Sequence, residues 1–182
     1  MDFPLPNRLE GQLLKLRPLK AEDFNALYQV ASDPLIWAQH PVRNRYERPV
    51  FEQFFDEALT SGGALVAIGK DHNAIIGSSR FHAYDPKARE VGIGWTFLAR
   101  AYWGGACNKE MKQLMLIHAF KYVDTVVLVV DSNNHRSQRA AQKIGGAYRE
   151  TRYPDDGRED FVYQLDRRCI NPNSCNIRVK EG

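Results

Sequence analysis

The segment from residue 90 to residue 130 constrains the fold more than any other part of the chain. A short apolar run at residues 91–98 leads through a glycine pair into a long helical pattern, and the apolar run 126–130 follows it. A strand, a helix and a second strand in this order predict a parallel pair joined by a crossover helix. Ligands favour the carboxyl ends of such strands, so the segments 90–110 and 131–146 contain the candidate site.

The remaining patterns predict a mixed α/β (α+β) domain. Alternating or continuous apolar runs predict strands at residues 12–19, 64–68, 74–84, 91–98, 126–130, 147–153 and 161–165. Apolar residues at helical spacing predict helices at residues 20–31, 49–60, 104–122 and 134–144, with a loop or short helical turn over 35–48. The order indicates antiparallel strands interrupted by one crossover, with a final hairpin around Asp155-Asp156-Gly157.

Composition indicates one globular domain, residues 1–165, followed by a polar tail, residues 166–182. The 182 residues are 43% hydrophobic and 26% charged, and a net charge of +3 without dense basic runs argues against nucleic acid as the main ligand. No apolar run approaches the roughly 20 residues that span a bilayer, and the N-terminus lacks a secretory signal pattern. We therefore expect a cytoplasmic protein with no membrane partner. Its three cysteines match no zinc spacing, so we expect reduced thiols and no metal.

Strand alternation over residues 90–98 predicts a face on which two glycines leave a groove that no side chain fills. Val91, Ile93, Trp95 and Phe97 are expected on one face, and Glu90, Gly92, Gly94 and Thr96 on the other. Glycine in a strand forfeits packing, and a ligand lying against the backbone is one reason for it. A bulge or a tight helix contact is the alternative.

The turn Trp103-Gly104-Gly105-Ala106-Cys107-Asn108 opens the long helix with small residues. Such a turn lets several backbone N–H groups converge at the positive end of the helix, where they can bind an anion without a basic side chain. The sequence therefore predicts an anion site at residues 103–108.

The segment 131–146 predicts a helix whose inner face carries a hydroxyl. Ser137, Ala140, Ala141 and Ile144 share that face, and the Ser137 hydroxyl either bonds back to its own helix or points at a ligand. Arg136, Arg139 and Lys143 form a separate basic stripe, which is either a solvated face or a contact for ligand phosphates. Asn134 lies where an N-cap is expected.

The runs YWGGACNKE, VVLVVD and NHRSQRAAQKIGGAYRE, at these spacings, resemble the GNAT family of acetyl-CoA-dependent N-acetyltransferases. The resemblance covers roughly residues 12–165 and is closest to the branch of the ribosomal-protein N-terminal (alanine) acetyltransferases. It implies a mostly antiparallel central sheet of about seven strands with about four helices on both faces. It also implies a coenzyme site formed by Phe97, Leu98, Ala99, Trp103, Gly104, Gly105, Ala106, Cys107, Asn108, Asn134, Ser137, Arg139 and Lys143.

Two positions depart from the family pattern. The basic residue that often opens the phosphate loop is replaced by Ala101, and the tyrosine acid of many members is replaced by Ala141. Backbone amides carry most of the expected phosphate contact, so the first departure matters little for binding. The second leaves Ser137, which would face the sulfur, as the group that hydrogen-bonds the leaving thiol.

The resemblance implies direct transfer of acetyl to a primary amine, either a protein N-terminus or a small amine, in a ternary complex. A carboxylate would act as base; Glu90 is the first choice and Asp156 the second, although either could be an ordinary surface carboxylate. Backbone N–H groups of residues 97–99 would stabilise the oxyanion. An acyl-enzyme on Cys107 is disfavoured because no partner is suitably spaced. A non-catalytic acyl-CoA-binding module is the alternative function.

The acceptor site is expected near the variable loop of the family. Trp37, His40, Arg43 and Tyr46 lie in that loop, and His82 is a further candidate for the groove. This aromatic and basic mixture suits an anionic or peptidic acceptor, and ordinary loop packing explains it equally well. The sequence leaves the acceptor, the role of the tail and a homodimer open.

Overall fold

The computed structural model describes residues 2–170, and the predicted tail therefore lies mostly outside the described residues. Eight strands form one sheet in the order β1-β2-β3-β4-β5-β6-β8-β7. The strands are β1 (Leu9–Glu10), β2 (Leu14–Pro18), β3 (Ala64–Gly69), β4 (Ile75–Asp85), β5 (Glu90–Leu98), β6 (Thr125–Asp131), β7 (Ala147–Arg152) and β8 (Asp160–Asp166). The helices are α1 (Phe24–Ala31), α2 (Pro34–Trp37), α3 (Arg48–Thr60), α4 (Ala106–Ala119) and α5 (His135–Lys143).

The predicted fold class is confirmed. All neighbouring strands of the described sheet pair antiparallel except β5 and β6, which are parallel and joined by α4, as the crossover pattern requires. The sheet has one strand more than expected because β1 is only two residues long, and α2 is a single turn within the segment 35–48 expected to be irregular. β8 continues to Asp166, one residue beyond the expected end of the domain at residue 165.

The helices cover the sheet on both faces and divide the core into two clusters. Helices α4 and α5 bury residues such as Leu114 and Ala141 against one face, which we call the α4 face. Helices α1, α2 and α3 bury residues such as Leu27 and Phe54 against the other, which we call the α3 face. A ligand that passes between the strands can therefore meet different groups on the two faces.

Strands β5 and β6 separate soon after they meet. They pair only where Glu90, Val91 and Gly92 face residues 125–127, and β5 then leaves β6. β6 pairs with β8 along all seven of its residues, so its other edge cannot follow β5. A wedge-shaped cleft results, and it opens toward the carboxyl ends of both strands.

A bulge in β5 redirects its side chains, and the expected alternation is wrong beyond Gly94. Trp95 has φ 49°, and the pairing of β5 with β4 shifts near this residue. Val91 and Ile93 pack on the α4 face, but Phe97 packs on the α3 face. The Trp95 ring contacts His82, which lies over the same face as Gly92 and Gly94, instead of joining Val91 and Ile93. The extra residue of a bulge causes this change of face.

A lysine with no carboxylate partner among residues 2–170 is buried under the bulge. Lys112 on α4 is 7% exposed, and its Nζ donates to Thr96 Oγ1 at 2.5 Å and to Ser79 Oγ at 3.4 Å. Both partners are neutral, so burial is uncompensated and lowers the pKa of Lys112 to about 7. The folded chain therefore carries a proton at this site less readily than the unfolded chain.

Replacing this lysine with an apolar residue of similar length should stabilise the protein. We expect Lys112→Met to raise the free energy of unfolding at pH 7 by about 1–4 kcal/mol, because it removes a buried charge without a counter-ion. The lysine of the unfolded chain keeps its proton up to about pH 10.4, so the wild type should gain stability between about pH 7 and 10. The difference in the free energy of unfolding between the variant and the wild type should therefore shrink over that pH range. Urea unfolding of both proteins at pH 6.5 and 9.5 measures this. A variant that is less stable at both pH values would contradict it.

Candidate active site

The turn that leads from β5 into α4 is open around its glycines. Gly104 has φ +70°, and Gly105 is the N-cap of α4 without a side-chain cap. A Cβ built at either residue would meet no other atom within 4 Å, so space lies next to the backbone here. Residues 106–108 form the first turn of α4, where N–H groups lack partners within the helix. The turn thus has the form of an anion site.

Neighbouring contacts hold this turn in place. Tyr102 donates its hydroxyl to Asp71 Oδ2 at 2.8 Å, which raises the pKa of Tyr102 to about 12. Arg100 pairs with Asp33 on the other side of the turn. These two contacts fix the loop that precedes the glycine pair, and they therefore hold the backbone of Gly104 and Gly105 in position.

Trp103 connects the end of β5 with α5. Its Nε1 donates to Leu98 O at 2.8 Å, and the Arg136 guanidinium stacks on its ring with Cζ 4.0 Å from the centroid. Arg136 also donates to Ile36 O at 2.8 Å. Arg136 therefore does not share a solvated stripe with Arg139 and Lys143, which are exposed. It ties α5 to α2 and to the loop after β5.

The edge of β5 that faces the cleft presents backbone polar groups. Ala99 N donates to Ile76 O at 2.8 Å, toward β4. Because successive N–H groups of a strand alternate in direction, the N–H of Leu98 points to the opposite side, into the cleft. Phe97 and Leu98 themselves are buried. The cleft is therefore lined by backbone on its β5 side.

The first turn of α5 lies at the β6 side of the same opening. Asn134 is the N-cap, and its Oδ1 accepts from Ser137 N at 3.2 Å. The Ser137 hydroxyl is half-buried and makes no hydrogen bond within residues 2–170, so the back-bonded alternative is not observed. Ala141 is 2% exposed and packs in the core. The Ser137 hydroxyl remains available to a ligand.

The two carboxylates expected to act as base lie apart and are ion-paired. Glu90 stands at the closed end of the cleft, where its Oε2 accepts from Arg149 at 2.5 Å. Glu90 precedes Thr96, which lies near the carboxyl end of β5 where the cleft opens, by six residues, or roughly 20 Å of strand. Asp156 lies in the exposed turn between β7 and β8 and pairs with Arg158 at 2.6 Å.

A carboxylate that the sequence did not single out lies closer to the open end. Asp160 is 7% exposed and pairs in register with Asp131 at the end of β6. Because Phe161, Tyr163 and Leu165 pack on the α4 face, alternation places Asp160 on the α3 face. Burial raises the pKa of Asp160; Arg158 opposes that shift, and Asp131 and Asp156 add to it.

The loop expected to bind the acceptor divides into core and surface residues. Trp37 is 3% exposed, packs against Phe97 and donates Nε1 to Ala31 O at 2.7 Å. Tyr46 is half-buried and Arg43 is exposed. His40 is half-buried, and its pKa falls to about 4 because of burial first and Arg45 second. Gln39, the residue before His40, accepts from Arg136 N in the first turn of α5 at 3.1 Å, so His40 lies near the open end of the cleft.

His82 fills the glycine face of β5, so the expectation of an empty groove there is wrong. A Cβ at Gly92 would collide with its ring, and one at Gly94 would come within 3.1 Å of Nε2. Burial, with Arg80 and Lys112 nearby, lowers the pKa of His82 to about 4, so it is neutral at pH 7. The two glycines make room for an imidazole.

Two arginines on the α3 face were not predicted as site residues. Arg45 and Arg80 are 8% and 5% exposed. The signal for Arg80 was a lone arginine inside the apolar run of β4, and the signal for Arg45 was its place two residues from Arg43. Neither signal separates a buried arginine from an exposed one.

Cys107 has no features of a nucleophile. Burial first, then Glu110 and Asp71, raise the pKa of its thiol. The thiolate, which is the reactive form, is thus disfavoured despite the position near a helix N-terminus.

The residues described, 2–170, contain no group of three or more side chains that could hold a metal ion. They also contain no helix long and apolar enough to cross a membrane.

Residues 14–147 match the family model described as an acetyltransferase (GNAT) domain. Among solved structures, a GCN5-related N-acetyltransferase from Brucella melitensis aligns with a TM-score of 0.78 and 20% identity over 90% of this chain and 80% of that one. A GNAT-family acetyltransferase from Bacillus anthracis aligns with a TM-score of 0.70 and 17% identity over 87% and 98%. Mycobacterium smegmatis RimJ, in complex with CoA-disulfide, aligns with a TM-score of 0.69 and 15% identity over 90% and 88%. Among curated proteins, none matches the chain by sequence.

Proposed function

Because the chain belongs to the GNAT acetyltransferase family, we propose that it moves an acetyl group from acetyl-CoA to a primary amine by direct attack in a ternary complex. The cleft between β5 and β6 carries this proposal. Two parallel strands separate there, and the N-termini of α4 and α5 follow at their carboxyl ends. Backbone donors and a half-buried hydroxyl thus meet at one opening.

The residues at the opening fit a coenzyme with a diphosphate and an amide-bearing arm. The N–H groups of residues 104–108 would bind the diphosphate, in the open space beside Gly104 and Gly105. The β5 edge at residues 97–99 and the Asn134 amide would bind the arm. Arg139 and Lys143 are exposed cations on α5 that would attract the coenzyme phosphates. The coenzyme supplies the activated thioester.

A negative charge at the turn should block coenzyme binding. We expect Gly104→Asp to weaken the affinity for CoA at least about 30-fold, since the carboxylate would lie among the amides that bind phosphate. Isothermal titration with CoA measures the change.

Gly157→Asp is a matched control, because Gly157 also has a positive φ (76°) and no atom within 4 Å of a Cβ. This variant carries the same charge and the same backbone cost on the turn between β7 and β8, so its affinity should stay within about twofold. Equal affinities for a folded Gly104→Asp variant and the wild type would refute the phosphate site.

Ser137 is proposed to hydrogen-bond the departing thiolate. Ser137→Ala should lower kcat about tenfold or more and leave the affinity for CoA within about threefold, because the hydrogen bond strengthens as charge develops on sulfur. Ser132→Ala, which removes a hydroxyl from the preceding loop, is the control. Unchanged kcat in Ser137→Ala would remove Ser137 from the mechanism.

For the base, the geometry favours Asp160 over Glu90 and Asp156. Asp160 lies at the open end of the cleft, and a raised pKa brings a carboxylate closer to the working range of a general base. An α-amine, with a pKa of about 7.7–8.0, needs little further help.

We expect Asp160→Asn to lower kcat/KM about 100-fold at pH 7, and Glu90→Gln and Asp156→Asn to lower it less than about fivefold. Steady-state rates at saturating acetyl-CoA test this ranking. A larger loss in Glu90→Gln or Asp156→Asn would reassign the base to that residue.

A non-catalytic acyl-CoA-binding module is the second candidate, and the buried Ala141 at the usual acid position favours it. A panel of primary amines, assayed for release of free thiol from acetyl-CoA, separates the two functions. Thiol release that depends on an added amine supports the enzyme; CoA binding without release on any amine supports the module.

A further inference from the structure

Two buried guanidinium groups contact the same aromatic ring on the α3 face. The Cζ atoms of Arg45 and Arg80 are 4.5 Å and 5.5 Å from the centroid of Phe54. Trp37 lies 5.1 Å from Arg45, and Trp95 lies 4.5 Å from Arg80. Aromatic rings thus pack against both cations, and among residues 2–170 each guanidinium makes one hydrogen-bond contact.

Neither arginine has an acidic partner in the part of the chain that the structure describes. Arg45 Nη1 lies 3.1 Å from His40 Nε2, and Arg80 Nη2 makes one long contact of 3.5 Å to Phe54 O. Arg80 Nε is buried and makes no hydrogen bond within residues 2–170. By contrast, the half-buried Arg17 makes two short bonds to Asp23.

Burial without an acid is costly for a guanidinium, which cannot readily discharge. Burial lowers the pKa of Arg45 to about 10, and Arg80 nearby contributes to that shift. Glu57 is the acid that acts on both arginines, but its side chain accepts from Gln53 and makes no ion pair with either. An anionic group from outside the chain would satisfy both cations.

The arginines lie beside the opening at which the acetyl group is proposed to be transferred. Arg80 pairs in register with Gly94, immediately before the bulge. Arg45 contacts His40, whose neighbour Gln39 accepts from Arg136 N in the first turn of α5. Along the α3 face, the site therefore passes from the carboxylates of Asp131 and Asp160 to the two arginines. This order of charges complements a molecule with an amine at one end and an acid at the other.

We propose that the acceptor is an amine that also carries an anionic oxygen group, a carboxylate or a phosphate, bound by Arg45 and Arg80. The proposal rests on the acetyl transfer proposed above and specifies its acceptor class. The planar fork of arginine matches both anions. Trp95 covers Arg80 and is 39% exposed, so a turn of its ring would uncover the guanidinium.

Matched amines test the proposal. The substrates are two pairs of peptides of equal length with blocked C-termini, assayed with acetyl-CoA in excess. One pair compares alanyl-aspartate with alanyl-asparagine. The other compares a phosphoserine peptide with the corresponding serine peptide. We expect kcat/KM to be at least tenfold higher for one of the anionic peptides than for its neutral counterpart, mainly through KM. The peptide that shows the difference identifies the anion as a carboxylate or a phosphate.

Arg45→Gln should reduce that ratio to about one, with kcat/KM measured on both members of each peptide pair. Arg80→Gln gives the same test from the second arginine, should either variant fold poorly. Arg48→Gln is the matched control, since Arg48 is exposed and paired with Glu52, and it should keep the wild-type ratio. Equal rates of the wild type on anionic and neutral peptides would overturn the acceptor class and leave the acetyl transfer intact.

If no amine is acetylated, the proposed acetyl transfer is refuted. Peptide binding then tests the anion site separately. Isothermal titration of the same peptides, acetylated at the amine, measures the anion site without turnover. Tighter binding of an anionic peptide to the wild type and to Arg48→Gln, lost in Arg45→Gln, supports the site. Equal or undetectable binding of all four peptides to the wild type overturns it.

Discussion

The separation of β5 from β6 after three paired residues is the feature on which the rest of the site depends. β5 stops pairing with β6 after Gly92 and carries a bulge at Trp95, and the complete pairing of β6 with β8 holds β6 in the sheet. Two parallel strands thus expose edges inside a sheet that is otherwise paired at this point. Backbone groups within a fold require hydrogen-bond partners, and an amide-bearing coenzyme arm is of the length and chemistry to supply them.

The two faces of the sheet have different chemistry at this cleft. On the α4 face, α4 and α5 begin at the opening and offer the N–H groups of residues 104–108 and the first turn of α5. The α3 face carries ionisable side chains, with Asp131 and Asp160 near one end and Arg45 and Arg80 near the other. Backbone on one face suits a donor common to a whole family, whereas side chains on the other can differ with the acceptor.

Much of the fold was predictable, because periodicity reports burial directly. The crossover, the two glycines before α4 and the N-cap at Asn134 follow from local patterns in residues 90–146. The faces of β5 beyond Gly94 were not predictable, since a positive φ at a tryptophan has no local sequence signal. β1 was missed because two residues carry no period.

The residues proposed to bind the acceptor could not be predicted from the sequence, because they come from distant segments. Trp37 lies in the core, and the buried arginine of that loop is Arg45 instead of Arg43. Arg80 comes from β4 and Asp160 from β8, and only the order of strands in the sheet brings them to the same face. Residue spacing within one segment of the sequence does not predict that such distant residues lie together.

Amide hydrogen exchange at single-residue resolution, with and without CoA, tests most directly whether backbone N–H groups hydrogen-bond the coenzyme. The account predicts slower exchange on binding at residues 104–108 and at Leu98, with little change in β1 to β3. Saturating CoA that leaves those amides unchanged and protects another surface would contradict it.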